Sequence, residues 1–231
     1  MGLKVQLQSL VVSPERIKAM DEQGIDIEAL SLNPIFWYKA EPDLAGQVVK
    51  LQNEKLADIC AAQPDRFVGL VSVALQHPDL AAEQLEHAVK GLGLRGALIG
   101  GSVNGEELSD PKFHPFWAKA EELDVVIFIH PQGTGELGTS GRLKGNGVLE
   151  NVIGNPLETT IALSHLIFEG TLDAYPRAQD LRRSRRRISA LLFRPLGSGL
   201  RDLPRAMHPD AQEEADRIPE AALLRLDGLH P

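Results

Sequence analysis

Four short apolar runs recur along this chain about 30 to 40 residues apart, with a helix-patterned stretch between successive runs, and that alternation limits the fold more than any other feature. The runs lie in residues 24–32 (GIDIEALSL), 66–75 (RFVGLVSVAL), 94–100 (LRGALIG) and 125–130 (VVIFIH). Each is short and rich in branched or aromatic residues, as buried strands are. Between them, residues 43–62 repeat Leu44, Val48, Leu51, Leu56 and Ile59 at helical spacing until Pro64 closes the stretch. Residues 79–92 read as a helix capped by Asp79, and residues 111–123 as another. Further helices are expected over 14–23, from Ser13-Pro14 to a stop at Gly24, and over 158–169. Right-handed crossovers between parallel strands leave a doubly wound sheet or a barrel, and periodicity does not separate the two. A closed (β/α)8 barrel takes about 250 residues and eight repeats, so four clear strands predict at most a partial barrel.

The fourth run ends in His130 and Pro131, and Pro131 has no N–H with which to continue a ladder. If the sheet belongs to a barrel, the carboxyl end of this strand opens on the face where such folds place their chemistry, which makes His130 the foremost candidate residue. The chain is 43% hydrophobic, enough for a sizeable core, and its net charge of −8 argues against nonspecific binding to nucleic acid. No apolar run approaches the roughly 20 residues that cross a bilayer, and residues 1–16 lack the ordered parts of a signal peptide. Cys60 is the only cysteine, so neither an internal disulfide nor a CxxC knuckle exists, and a cytoplasmic protein is expected.

Character changes near Arg177. Before Ala178 the basic residues are nine Lys and five Arg, whereas from Ala178 onward there are ten Arg and no Lys. Strand–helix alternation stops as well, and RRSRRR at 182–187 leads into a Gly-, Pro- and Arg-rich mixture. The segments PDRFVGLVSVALQHPDLA, LRGALIGGSVNGEELSDPKFHPFWAKAEELDVVIFIHPQG and NVIGNPLETTIALSHLIFEGTLDAYP resemble, in order, the amidohydrolase-related family that includes aminocarboxymuconate-semialdehyde decarboxylase. The likeness runs through about residues 13–177. It implies a metal-dependent (β/α)8 TIM barrel, with His130 as a metal ligand and a divalent metal, zinc by expectation, as cofactor. The implied reaction is nonoxidative decarboxylation of a carboxylated aromatic or muconate-type acid, with metal-assisted hydrolysis on the same scaffold as the alternative. The family's paired ligands on the first strand are not found, because the chain contains no H-x-H and begins at what would be the second strand.

The resemblance also implies that the next strand reads like LKICAAHGGGYLPSY. Codons for residues 178–193 can be chosen so that a start one base later spells that sequence, and codons for 213–230 then give KKPTEYLKQLYFDSMVY. First and second codon bases are largely fixed by the observed residues, so chance agreement over such lengths is improbable. The expectation is therefore two regions. Residues 1–177 form the barrel portion, and residues 178–231 are an Arg-rich, out-of-frame tail, poorly ordered, that lacks the family's second metal histidine.

Other motifs carry plainer readings. Phe36, Trp37 and Tyr38 follow the first strand of this chain directly, where Trp37 and Tyr38 would overhang the mouth and bind a planar substrate, or pack the loop. His165 reads as a packed or partly exposed helical histidine, and His77 and His114 as turn residues. Gly91 to Gly96 matches GxGxxG but precedes a strand, which defeats a dinucleotide reading. Residues 145–160 read as a long loop and helix cap beside the pocket. The expected partner is a small carboxylic acid, with no nucleic acid and no membrane, and homo-oligomerisation left open. A chain with unpaired barrel strands is also consistent with a noncatalytic fragment. RNA binding through 182–187 is disfavoured, since eight acids nearly offset the ten Arg of the tail and no aromatics interleave with the run.

Overall fold

The structure, a computed structural model, describes residues 12–32, 36–132, 141–144 and 149–176. The expectations for residues 178–231, including the arginine run, lie outside the described residues. Helix α1, Pro14–Glu22, opens where predicted, with the Ser13 hydroxyl accepting from the Arg16 amide at 3.3 Å. The first strand begins later than expected: β1 is Glu28–Ser31. Residues 24 and 25 instead finish the helix, through Gly24 at φ +67° and an amide bond from Ile25 to the Met20 carbonyl. The Arg66 guanidinium then donates to the Ile25 and Asp26 carbonyls, which engages both acceptors ahead of the strand.

Helix α2, Pro42–Ala62, buries a different face from the one its large aliphatics suggest. Ala45, Val49, Asn53, Leu56 and Cys60 point inward, while Leu44, Leu51 and Ile59 are exposed. Asn53 explains much of this rotation. Its amide donates to the Ser72 carbonyl at 2.9 Å and accepts from the Ser72 amide at 3.0 Å, tying the helix to the chain just past β2, Phe67–Val71. Helix α3, Pro78–Lys90, has His77 at its N-cap position with no side-chain cap, because Pro78 takes the first turn and moves Asp79 inside it. The His77 Nε2 donates to the Ala40 carbonyl at 3.1 Å.

Strand β3, Gly96–Gly100, runs into a hairpin absent from the sequence reading, β4 Ser102–Val103 and β5 Glu106–Glu107, antiparallel. Its signal was Asn104-Gly105, whose positive φ values of 54° and 86° suit a two-residue primed turn. The predicted helix over 111–123 divides into a 3-10 turn, Pro111–Phe113, and α4, His114–Leu123, so His114 opens a helix instead of sitting in a loop. Strand β6 is Val126–His130. A π-helical turn, Glu150–Gly154, leads into α5, Asn155–Phe168, followed by the short α6, Thr171–Ala174.

The four long strands pair in parallel in the order β1-β2-β3-β6, a curled half-barrel with no reversal of strand order. Gly69 identifies the helix side of this sheet, since a Cβ there would lie 2.5 Å from Leu94 Cδ2 and 3.1 Å from Leu56 Cγ of α2. Register then places Ser31, Leu70, Leu98, Gly100, Phe128 and His130 on the opposite, concave side. Among the described residues, no helix is long and apolar enough to cross a membrane.

Candidate functional site

His130 occupies the last position of β6, in register with Gly100 at the end of β3, so strand alternation delivers its ring to the concave side at the carboxyl rim. Nδ1 lies 2.7 Å from the Pro131 carbonyl oxygen. A carbonyl can only accept, so Nδ1 carries a proton and Nε2 is the nitrogen left outside this contact. The ring is half-buried, with a fixed orientation and a nitrogen able to ligate a cation or take up a proton.

Two other side chains close on the same rim, and a pair of glycines makes room for them. The Gly100 amide donates to the Tyr38 hydroxyl at 2.9 Å, and a Cβ on Gly100 would stand 3.2 Å from Tyr38 Cε2. A Cβ on Gly101 would stand 2.7 Å from Glu158 Oε1 and 2.9 Å from its Cγ. Glu158, on the first turns of α5, is 8% exposed, and its Oε2 accepts from the Gln132 amide at 2.7 Å. Glu158 is the residue that sequence reasoning missed. Its signal was the spacing 158, 162, 166: an acid in line with the buried Ala162 and Leu166 of an otherwise apolar helix face.

The predicted aromatic pair separates. Trp37 is 46% exposed and borders a shallow depression shared with Phe36, Val49, Gln52, Ser72 and Gln76. Tyr38 is buried, stacked on Phe36 with centroids 5.1 Å apart. Burial pushes the Tyr38 hydroxyl far above the ordinary phenol range, only partly offset by the amide that donates to it, so it stays protonated. The loop carrying both is pinned from several sides. Gln76 Nε2 donates to the Trp37 and Ala40 carbonyls at 3.0 Å each, and Asn104 Nδ2 donates to the Tyr38 carbonyl at 2.7 Å.

Three other histidines among the described residues lie elsewhere. His114 meets Tyr175 edge to face, and His77, at the N-cap position of α3, bonds to the Ala40 carbonyl. His165 is half-exposed on α5, bonded to Glu169 one turn on and 3.9 Å from Glu107 of β5. Bonding to Glu169 raises its pKa despite partial burial, and Ser109 donates to the same Glu169 carboxylate at 2.6 Å. Among the described residues, no three His, Cys, Asp or Glu side chains converge to hold a metal ion. One imidazole does not make a catalytic metal site, which takes three protein ligands or more.

Compared with known proteins, residues 13–182 match the amidohydrolase family. The chain is 33% identical over 162 residues to 2-amino-3-carboxymuconate-6-semialdehyde decarboxylase of Dictyostelium discoideum, covering 70% of this chain and 44% of that one. It is 37% identical over 139 residues to gamma-resorcylate decarboxylase of Rhodococcus jostii, covering 56% and 42%. Among solved structures, dihydroxybenzoic acid decarboxylase of Polaromonas, with bound manganese and the inhibitor 2-nitroresorcinol, superposes with a TM-score of 0.61 at 30% identity. That match covers 72% of this chain and 52% of the other. The chain thus spans about half the length of the relatives it matches.

Proposed function

Since the chain belongs to the amidohydrolase family, we propose that it is a portion of a metal-dependent, nonoxidative decarboxylase acting on a carboxylated aromatic or muconate-type acid. The observation that carries this reading is the His130 imidazole, set on the concave rim of a parallel half-barrel with Nδ1 engaged by the Pro131 carbonyl and Nε2 outside that contact. In such a reaction the carbon bearing the carboxylate gains a proton, the electrons of the breaking carbon–carbon bond return to the substrate, and carbon dioxide leaves without any oxidant. In this reading His130 contributes one metal ligand, the exposed Trp37 ring faces a planar substrate, and Tyr38 shapes the rim from beneath. The family's second metal histidine falls in the stretch read out of frame, so the present chain is taken to be catalytically incomplete. The manganese of the Polaromonas relative favours a divalent cation without favouring the zinc expected from sequence.

We further propose that the tail from about Ala178 is read out of frame, and that the family's second metal histidine belongs to the restored frame. The lone cysteine of the whole chain, Cys60, supports placement in the cytoplasm. Sequencing the locus tests the frame directly: a one-base shift near Arg177 is expected, and its absence removes this part of the proposal. An in-frame, full-length protein should then release carbon dioxide from carboxylated phenols in a chelator-sensitive way. Replacing His130 by Gln should lower that activity by more than the roughly 10–100-fold cost of disturbing a residue behind the ligands. Hydrolysis without decarboxylation would overturn the assignment in favour of a hydrolase.

A further inference from the structure

The peptide group between Pro131 and Gln132 is engaged at both ends. Its carbonyl accepts from His130 Nδ1 at 2.7 Å, and its N–H donates to Glu158 Oε2 at 2.7 Å. We propose that Glu158 is a positioning residue for His130, acting through this peptide: carboxylate, amide and imidazole form one chain that holds the ring in its Nδ1–H form and leaves the Nε2 lone pair facing the concave side. Histidines that ligate or transfer protons commonly donate their second N–H to a carboxylate or a backbone carbonyl, and here the two partners act in series. A carboxylate on the amide end polarises the peptide and makes its carbonyl a stronger acceptor.

Three features of the fold serve this contact. Glu158 is a buried acid in the core-facing row of α5, a costly place for a charge without hydrogen bonds. Gly101 leaves its side-chain space to that carboxylate, since a Cβ would stand 2.7 Å from Oε1. Pro131 ends β6, so the next peptide is free to turn its N–H toward α5 instead of into the sheet. The inference deepens the reading of His130 as a site residue and rests on it for its use, but its test requires neither metal nor turnover.

The test is the tautomer of His130 in the full chain labelled with nitrogen-15 histidine, read from two-bond proton–nitrogen correlations at a pH where the ring is neutral. His130→Gln assigns the signals. The wild type is expected to be predominantly Nδ1–H. Glu158→Gln keeps an acceptor but removes the charge, and should shift the tautomer ratio toward Nε2–H by roughly tenfold, the equivalent of about 1.4 kcal/mol. Glu158→Ala should shift it at least as far. Signals of His77, His87, His114 and His165 report whether each variant remains folded. If a variant fails to fold, the wild-type Gln132 amide decides: downfield and slow to exchange supports the bond to Glu158, and rapid exchange overturns it. A predominantly Nε2–H wild type, or an unchanged ratio in folded Glu158 variants, also overturns the proposal. If the relay holds but the in-frame enzyme works without His130, the functional reading fails and the relay stands.

Discussion

Tyr38 illustrates how one polar atom can decide what an aromatic side chain is for. Its ring lies under the end of β3 and its hydroxyl is the acceptor for a buried strand-end amide, so this side chain fixes the rim. Tyr38→Phe should therefore destabilise the protein by about 1–3 kcal/mol, the cost of stranding a buried donor, measured as a lower urea midpoint at constant slope. A change within about 0.5 kcal/mol would mean the Gly100 amide has another partner. His165 makes a second prediction at this scale. Its pKa is raised in the folded state, first by the bond to Glu169 and further by the Glu107 and Glu169 charges. The stabilisation is thus fully present below the ordinary value of 6.5 and is lost as pH rises through the elevated one. Denaturation midpoints should fall across that interval, and His165→Gln should flatten the slope. The side chain is 39% exposed, so solvent keeps the effect small.

At the level of elements, the parallel pairing of β3 with β6 is the joint that sets the site, because it places Gly100 beside His130. Gly96 allows that joint to close. A Cβ there would fall 2.0 Å from the Val126 carbonyl oxygen, and backbone on the neighbouring strand cannot step aside as a side-chain tip can. Gly96→Ala should cost at least the roughly 1–3 kcal/mol typical of overpacking, visible as a lower melting temperature. Loss of the His130–Gly100 alignment should accompany it. Helix α2 makes the complementary point: its buried row is set by the reciprocal Asn53–Ser72 bonds and by small residues that let helix and sheet approach, while Leu44 and Leu51 remain in solvent.

Across the molecule, the described sheet is a curled segment in which β1 and β6 each pair on one side only. Phe128 stands 50% exposed on the concave face of β6. Unpaired edges and exposed aromatic faces favour association, so the chain should show concentration-dependent self-association by sedimentation, reduced by Phe128→Thr. A monomer at every concentration would contradict this. The sequence alone determined the alternation of strands and helices and the delivery of His130 to a strand end, because both follow from periods of two and 3.6 residues that any short window carries. Periodicity left barrel segment against doubly wound sheet open, a choice made by the likeness of whole segments to a barrel family, and nothing in the sequence decided the rotation of α2, the burial of Tyr38 or the reach of Glu158 to residue 132. Those depend on how closely elements approach and on hydrogen-bond partners such as Asn53 with Ser72 and Glu158 with Gln132, which lie 19 and 26 residues apart and meet only once the sheet has curled and the helices have packed.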